Sequence, residues 1–219
     1  MRVAISQCIV ENASYPERRD ALDQEWARYL FRVLPDAVLI PAPNALESVQ
    51  TWIESVSPDA LILTGGNDWG SAVDRDRTET ELVRWCRARS RPILGVCRGL
   101  HVLNTLLGGG LCPDLEGRTG RRHVAEDHAI TITGRPFEEW AGSSLIVNSF
   151  HAQGVLEEQL AEGLHAFALA DAGVVEGLVH AREPILAVQW HPERPNRARD
   201  FDLRLLADFF AKGALWSEG

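Results

Sequence analysis

The segment Gly95-Val96-Cys97-Arg98-Gly99 sets a cysteine between two glycines, directly after an apolar run and directly before a helical pattern. A G-x-C-x-G spacing suits a nucleophile elbow, a tight strand-to-helix turn where flanking glycines let backbone and substrate approach closely. A helix N-terminus beside the sulfur favours thiolate, the form that attacks. Taken alone, the segment also reads as a small buried thiol ahead of a helix.

A thiolate nucleophile needs a base and a group that orients the base. Residues 187–193, AVQWHPE, supply both types, with His191 at a strand's carboxyl end and Glu193 two positions on. In extended chain, positions i and i+2 face the same way, and Pro192 restricts the backbone between them. Glu193 can then hold one imidazole nitrogen while the other faces the sulfur. A strand-end histidine by itself reads as a structural hydrogen-bonding residue, but the adjoining glutamate and the matching elbow favour chemistry here. A third segment, Leu63-Thr64-Gly65-Gly66-Asn67-Asp68, ends a strand in a glycine pair. Its backbone N–H groups, with the amide of Arg98, could form an oxyanion hole; alone it is a glycine-rich turn.

These three segments must sit at strand ends, and the chain supplies the strands. RVAIS (2–6), AVLIP (37–41), ALILTGG (60–66) and PILGV (92–96) are short continuous apolar runs. Between them lie helical patterns at 17–34, 46–56 and 78–89, and RGLHVLNTLLGGG follows the cysteine. Leu22, Trp26, Tyr29, Leu30 and Val33 form one helical stripe, and Ser57-Pro58 ends the second helix. Alternating strands and helices with fully apolar strands predict a parallel sheet buried on both faces. Active sites of such sheets form at the carboxyl ends of the strands. Beyond residue 123 the pattern changes to HAITIT, SLIVNS, HAFALA, VVEGLVH and ILAVQW, read as an antiparallel extension or edge hairpins. The tail predicts a closing amphipathic helix with Asp200 as N-cap and Gly213 as stop. No repeat or linker divides residues 1–219, so one α/β domain is expected.

With 219 residues, 45% hydrophobic and 24% charged, the composition is that of an ordinary globular chain able to bury a core. A net charge of −9 argues against binding nucleic acid polymers. No apolar run approaches the ~18 residues of a membrane span, and MRVAISQCIV is too short and too soon polar for a signal peptide. Cys8, Cys86, Cys97 and Cys112 lie far apart, which argues against zinc ribbons and disulfide frameworks and predicts a reducing, cytoplasmic setting.

The order TGG, GVCRG, WHPE resembles the class I glutamine amidotransferases over nearly the whole chain. GVCRGLHVLN, GGGLCPDL, VNSFHAQGV, GVVEGLV and LAVQWHPE narrow the resemblance to the γ-glutamyl hydrolase branch, a cysteine peptidase-like family. The resemblance implies a three-layer, flavodoxin-like fold with a central, mostly parallel sheet, helices on both faces and a small antiparallel extension. It implies Cys97 as nucleophile, His191 as general base and acid, Glu193 as orienter, and Gly66 and Arg98 as oxyanion donors. Gly65, Asn67, Asn148, Ser149, Phe150, His151, Gln153 and Glu176 fall in family-like motifs and are expected to bind substrate or shape the site. The implied reaction passes through a γ-glutamyl thioester and releases glutamate, with no cofactor and no metal. Four residues past the nucleophile the family usually has glutamine, and this chain has His101, either a substrate contact or a packing residue of the elbow helix.

The N-terminal stretch ISQCIVENASYPERRDALDQEWARYL, with LTGGNDWG, resembles the γ-glutamyl-CDP-amidate hydrolases of capsule phosphoramidate synthesis. Arginines cluster at Arg118, Arg121 and Arg122 and again at Arg194, Arg197 and Arg199. Guanidinium suits phosphate oxygens, although surface arginines more often pair with carboxylates. His123, Asp127 and His128 offer ligand types for a metal, but their spacing matches no zinc motif, and a loop leading into HAITIT is expected instead. The tryptophans, such as Trp26 and Trp85, fall on helical stripes and read as core. A partner-dependent glutaminase subunit serving a separate synthase, an α/β-hydrolase-like thiol enzyme and a non-catalytic protein of this fold are the rival readings. The α/β-hydrolase order places the acid between nucleophile and histidine, whereas Glu193 follows His191 here. A homodimer or a synthase partner would be compatible with the sequence.

Overall fold

The computed structural model describes residues 1–44, 47–134 and 136–212. In chain order the first half runs β1 (Arg2–Ile5), β2 (Cys8–Glu11), β3 (Arg18–Ala21), α1 (Gln24–Val33), β4 (Val38–Pro41), α2 (Val49–Val56), β5 (Ala60–Leu63), α3 (Val73–Arg87), β6 (Ile93–Val96) and α4 (Arg98–Leu106). The second half runs α5 (Leu115–Thr119), β7 (Val124–Ile132), β8 (Ser144–Phe150), β9 (Leu164–Ala170), β10 (Val174–His180), β11 (Ile185–Val188) and α6 (Arg199–Lys212).

Nine strands form one sheet in the order β4-β1-β5-β6-β11-β10-β9-β7-β8. The first five are mutually parallel. Counted in chain order among themselves they run 2-1-3-4-5, the flavodoxin-like arrangement. The remaining four are antiparallel, so that part is nearly half of the sheet rather than a small extension or an edge hairpin.

The continuous apolar strands are explained by burial on both faces, each strand sending alternate residues to opposite sides. Ile5, Ile62, Val96 and Val188 join Trp26, Tyr29, Phe201 and Phe209 of α1 and α6 in one core. Ala4, Leu61, Ile93 and Ala187 join Ile53, Leu82, Val83 and Leu103 of α2, α3 and α4 in the other. The sheet is therefore the middle of three layers.

Local signals set the element ends. Asp23 caps α1 by accepting from the amide of Glu25, and Ser48 caps α2 by accepting from Thr51. Ser57 closes α2 in the left-handed conformation ahead of Pro58, as the sequence indicates. Three expectations shift. The helix foreseen over 17–34 begins only at Gln24, because 18–21 pair with 8–11 as a hairpin. Helix α3 starts at Val73, earlier than its apolar stripe suggests. Asp200 lies within the first turn of α6 instead of capping it. The expected stop at Gly213 and the start at Leu46 lie outside the described residues. All four cysteines are free, and among the described residues no helix is long and apolar enough to cross a membrane.

Candidate active site

Cys97 sits between β6 and α4 with φ 54° and ψ −109°. A non-glycine residue in that region is strained, and strain of this kind gathers at functional turns. Its amide donates to Val188 O at 2.8 Å, and its carbonyl accepts from Leu100 N at 2.9 Å. The flanking glycines make the turn fit. A Cβ on Gly99 would lie 2.4 Å from the Leu63 carbonyl oxygen, and one on Gly95 would lie 2.7 Å from the Gly99 backbone. Strand β5, the elbow and α4 can meet this closely only without those side chains. Arg98 is the first residue of α4, so its N–H has no partner within the helix.

His191 follows β11, whose carboxyl end lies beside that of β6. His191 Nδ1 and Glu193 Oε1 are 2.7 Å apart, and both side chains are buried. Burial disfavours the imidazolium, but hydrogen bonding with Cys97 and with Glu193, and the negative charge of each, outweigh it and raise the His191 pKa to about 9. The backbone at His191 is clamped from both sides by one side chain: Asn148 Oδ1 accepts its N–H, and Asn148 Nδ2 donates to its carbonyl, each at 2.9 Å. Asp202 of α6 braces the same loop, accepting from Trp190 Nε1 and from Asn196 Nδ2 at 2.9 Å each. Burial pushes its carboxyl up to about 7 despite those donors.

The glycine pair after β5 lies against this assembly. The position of a Cβ on Gly65 would be 2.7 Å from His191 Cε1 and 3.5 Å from the Cβ of Cys97, which places ring, thiol and loop in contact range. Beneath the loop runs a buried charge network that composition and spacing did not reveal. Arg75 Nε donates to Glu79 at 2.9 Å and its Nη2 donates to the Thr64 carbonyl at 2.8 Å. Arg98 donates from its guanidinium to Glu79 and Asp76. Burial lowers both arginines, Arg75 to about 10 and Arg98 to about 9, the Arg75 charge adding to the effect on Arg98. The Arg98 guanidinium is thus committed to this network.

A pocket of about 360 Å³ opens over Cys97 and His191, with Gly66, Asn67, Asp68 and Arg98 among the residues that line it. Phe150, His151 and Gln153 line it too, and Arg194 stands at the rim. Phe150 meets the His191 ring edge-on at 5.8 Å, and the Arg194 guanidinium lies 4.8 Å over the Phe150 ring. Asn67 lines the pocket while its side chain pairs with both backbone groups of Ile9, tying the glycine-pair loop to the β2–β3 hairpin. His101 also lines it, buried and bonded to Gln189 Oε1 at 2.8 Å. Burial holds the His101 pKa down to about 3, so this ring is neutral and both packs and faces the pocket.

Other sequence candidates lie elsewhere. Asn148 and Ser149 face the scaffold, Ser149 Oγ donating to the His123 carbonyl. Glu176 is fully buried on β10 and does not line the pocket. Arg118 pairs with Glu158 at 3.6 Å and Arg121 with Asp171 at 3.3 Å, both in exposed positions, and Arg122 is exposed; none of the three lines the pocket. Arg197 is exposed, and Arg199 donates to the Pro192 carbonyl and lies over Tyr29. Of the two arginine clusters, only Arg194 reaches the pocket. The segment read as a loop at 123–128 is mostly strand β7, with His128 turned inward and Asp127 exposed.

The model of the peptidase C26 family matches residues 3–193. The chain belongs to that family of hydrolases. It is similar to the glutamine amidotransferase-like protein YvdE of Lactococcus lactis, at 30% identity over 85% of this chain and 86% of the relative. It is similar to the gamma-glutamyl-CDP-amidate hydrolase of Campylobacter jejuni, at 27% identity over 96% of this chain and 98% of the relative. Among solved structures, a glutamine amidotransferase from Thermotoga maritima superposes with a TM-score of 0.61 at 16% identity, covering 94% of this chain and 81% of that one. That likeness establishes the glutamine amidotransferase-like fold.

Proposed function

We propose that this hydrolase cleaves the γ-glutamyl amide bond of a small molecule, with Cys97 as nucleophile, His191 as base and acid, and Glu193 as orienter. The observation that carries the reading is the buried His191–Glu193 pair, joined at 2.7 Å and coupled to a strained cysteine in one pocket. His191 takes the thiol proton and becomes the imidazolium that its raised pKa favours. The sulfur attacks the γ-carbonyl carbon, and the resulting oxyanion accepts from the Gly66 and Arg98 amides. Collapse of this intermediate breaks the C–N bond as His191 gives its proton to the departing nitrogen, leaving a γ-glutamyl thioester. His191, now neutral, removes a proton from water, which attacks the thioester. The C–S bond breaks, glutamate leaves, and the proton returns to sulfur.

The substrate assigned is γ-glutamyl-CDP-amidate, giving glutamate and cytidine diphosphoramidate for capsule phosphoramidate synthesis. The end-to-end alignment with the Campylobacter relative and a guanidinium at the pocket rim support this choice. A glutamate-release assay with γ-glutamyl-CDP-amidate, γ-glutamyl-γ-aminobutyrate and free glutamine tests it, with Cys97→Ala as control. Highest kcat/KM on the first compound, lost in the control, is the expected result. Preference for the second compound would reassign the leaving group. Glutamine hydrolysis that rises sharply on adding a separate synthase would reassign the protein as a glutaminase subunit.

A further inference from the structure

Behind the pocket wall, three histidines surround one buried carboxylate. Glu176 Oε1 lies 3.1 Å from His128 Nε2, 3.5 Å from His151 Nε2 and 4.0 Å from His123 Nδ1. Glu176 has 0% exposure, His151 4% and His123 6%. None of these contacts has hydrogen-bond geometry. Both Glu176 oxygens, His123 Nδ1, both nitrogens of His128 and His151 Nε2 are buried without a hydrogen-bond partner. So many orphaned polar atoms converging on one point require an occupant or a shared charge.

The backbone is shaped to bring them together. Ala125, with φ 57°, breaks the register of β7 between His123 and His128. Strand β10 shifts register on both sides of Gly177, beside Glu176. Bulges re-aim side chains, and here one lies in each of the two strands that face the cluster. His151 Nδ1 donates to the Gln153 carbonyl at 3.0 Å, which turns Nε2 toward a carboxylate oxygen of Glu176 at 3.5 Å. A cation between the unpartnered Nε2 and the unpartnered carboxylate oxygens would satisfy both. A second nitrogen that donates to a backbone carbonyl is the usual support of a metal-bound imidazole.

The dimensions also fit. Tetrahedral zinc with bonds of about 2.0–2.1 Å spaces its ligand atoms about 3.4 Å apart and its imidazole centroids about 5 Å apart. The centroids of His123 and His128 are 5.0 Å apart, and those of His123 and His151 are 5.1 Å apart. Ligand atoms of His123, His128 and Glu176 lie within 4.8 Å of one another. The His128–His151 pair, at 6.4 Å, must close by roughly 1 Å.

We propose that His123, His128, His151 and Glu176 bind one divalent transition metal ion, zinc by ligand type, which ties the 151–153 segment to the sheet behind the pocket. Three imidazoles and a carboxylate suit zinc better than calcium or magnesium, which prefer oxygen. The ion stands apart from the Cys97 chemistry. It acts by fixing His151 and Gln153, which line the pocket.

The test uses tag-free, full-length Cys97→Ala protein, so that the catalytic thiol contributes no ligand. After chelator treatment it is titrated with Zn²⁺ and with Co²⁺. One equivalent retained through gel filtration, a tetrahedral Co²⁺ visible spectrum and a rise in Tm with Zn²⁺ are expected. Adding His123→Ala or His128→Ala should weaken the affinity at least tenfold, whereas adding His165→Ala at an exposed position of β9 should not. No Tm rise and no stoichiometric retention in the parent protein would overturn the proposal, whether or not the histidine variants fold. So would binding unchanged in folded His123→Ala and His128→Ala proteins.

Discussion

Gly65→Ala tests how tightly the loop, the imidazole and the thiol are held together. The new Cβ would lie 2.7 Å from His191 Cε1, whereas ordinary contact begins at 3.4 Å, so ring or loop must yield by roughly 0.7 Å. The ring has little freedom to yield. Its Nδ1 is bound to Glu193, its backbone is clamped by Asn148, and Phe150 stands edge-on beside it. A misplacement of about 1 Å in a catalytic group costs on the order of 10²-fold in rate, so kcat should fall about 10- to 100-fold with KM little changed. Overpacking should cost about 1–3 kcal/mol, a decrease of a few degrees in Tm that leaves the protein folded at 25 °C. Steady-state glutamate release, a thermal melt and the rate of iodoacetamide alkylation at Cys97 read these effects separately. A folded Gly65→Ala protein with kcat within twofold of the parent would refute the close-contact reasoning.

Other perturbations address the charges around the site. The raised pKa of His191 means that its pairing stabilises the fold fully below about 6.5 and loses that contribution as pH rises through about 9. Glu193→Gln removes one of the two groups that raise it, so the alkaline limb of the pH–rate profile should move down by about 1–3 units; an unmoved limb would remove Glu193 from the account. Glu79→Gln leaves the guanidinium groups of Arg75 and Arg98 short of a buried partner and should cost about 3–5 kcal/mol in denaturant unfolding. Asp202 has its folded pKa raised from 3.8 to about 7, so its contribution is full below about pH 4 and lost as pH rises through 7. Asp202→Asn should therefore gain stability relative to the parent between pH 4 and 7, by something of order 4 kcal/mol. A constant difference across that range would show that the carboxyl is ionised throughout.

The parallel half of the fold was legible because its strands are short, wholly apolar and separated by helical stripes. The hairpin of β2 and β3 was not, because Arg18–Ala21 carries no alternating apolar pattern to mark it as a strand pairing with 8–11. Spacing together with the family resemblance marked Cys97, His191 and Glu193 as candidates, because the first fills a glycine-flanked turn and the others are two residues apart, and the fold brings His191 and Glu193 within 2.7 Å of each other. Asn148 illustrates what spacing misses. Its motif marked it for substrate, yet its amide is spent holding the backbone of His191, 43 residues away. The Arg75–Glu79–Arg98–Asp76 network looks in sequence like an ordinary charged helix face, and only the fold buries it. Similarly, His123 and His128 form no motif in sequence, because Glu176 comes to them from β10 and His151 from just past β8.

The most direct test of the central claim is to quench a reaction in acid during turnover and weigh the intact protein. A mass increase of one glutamyl group is expected, mapped by peptide analysis to Cys97 and absent from Cys97→Ala. Turnover without any adduct on Cys97, or glutamate release sustained by Cys97→Ala, would contradict it.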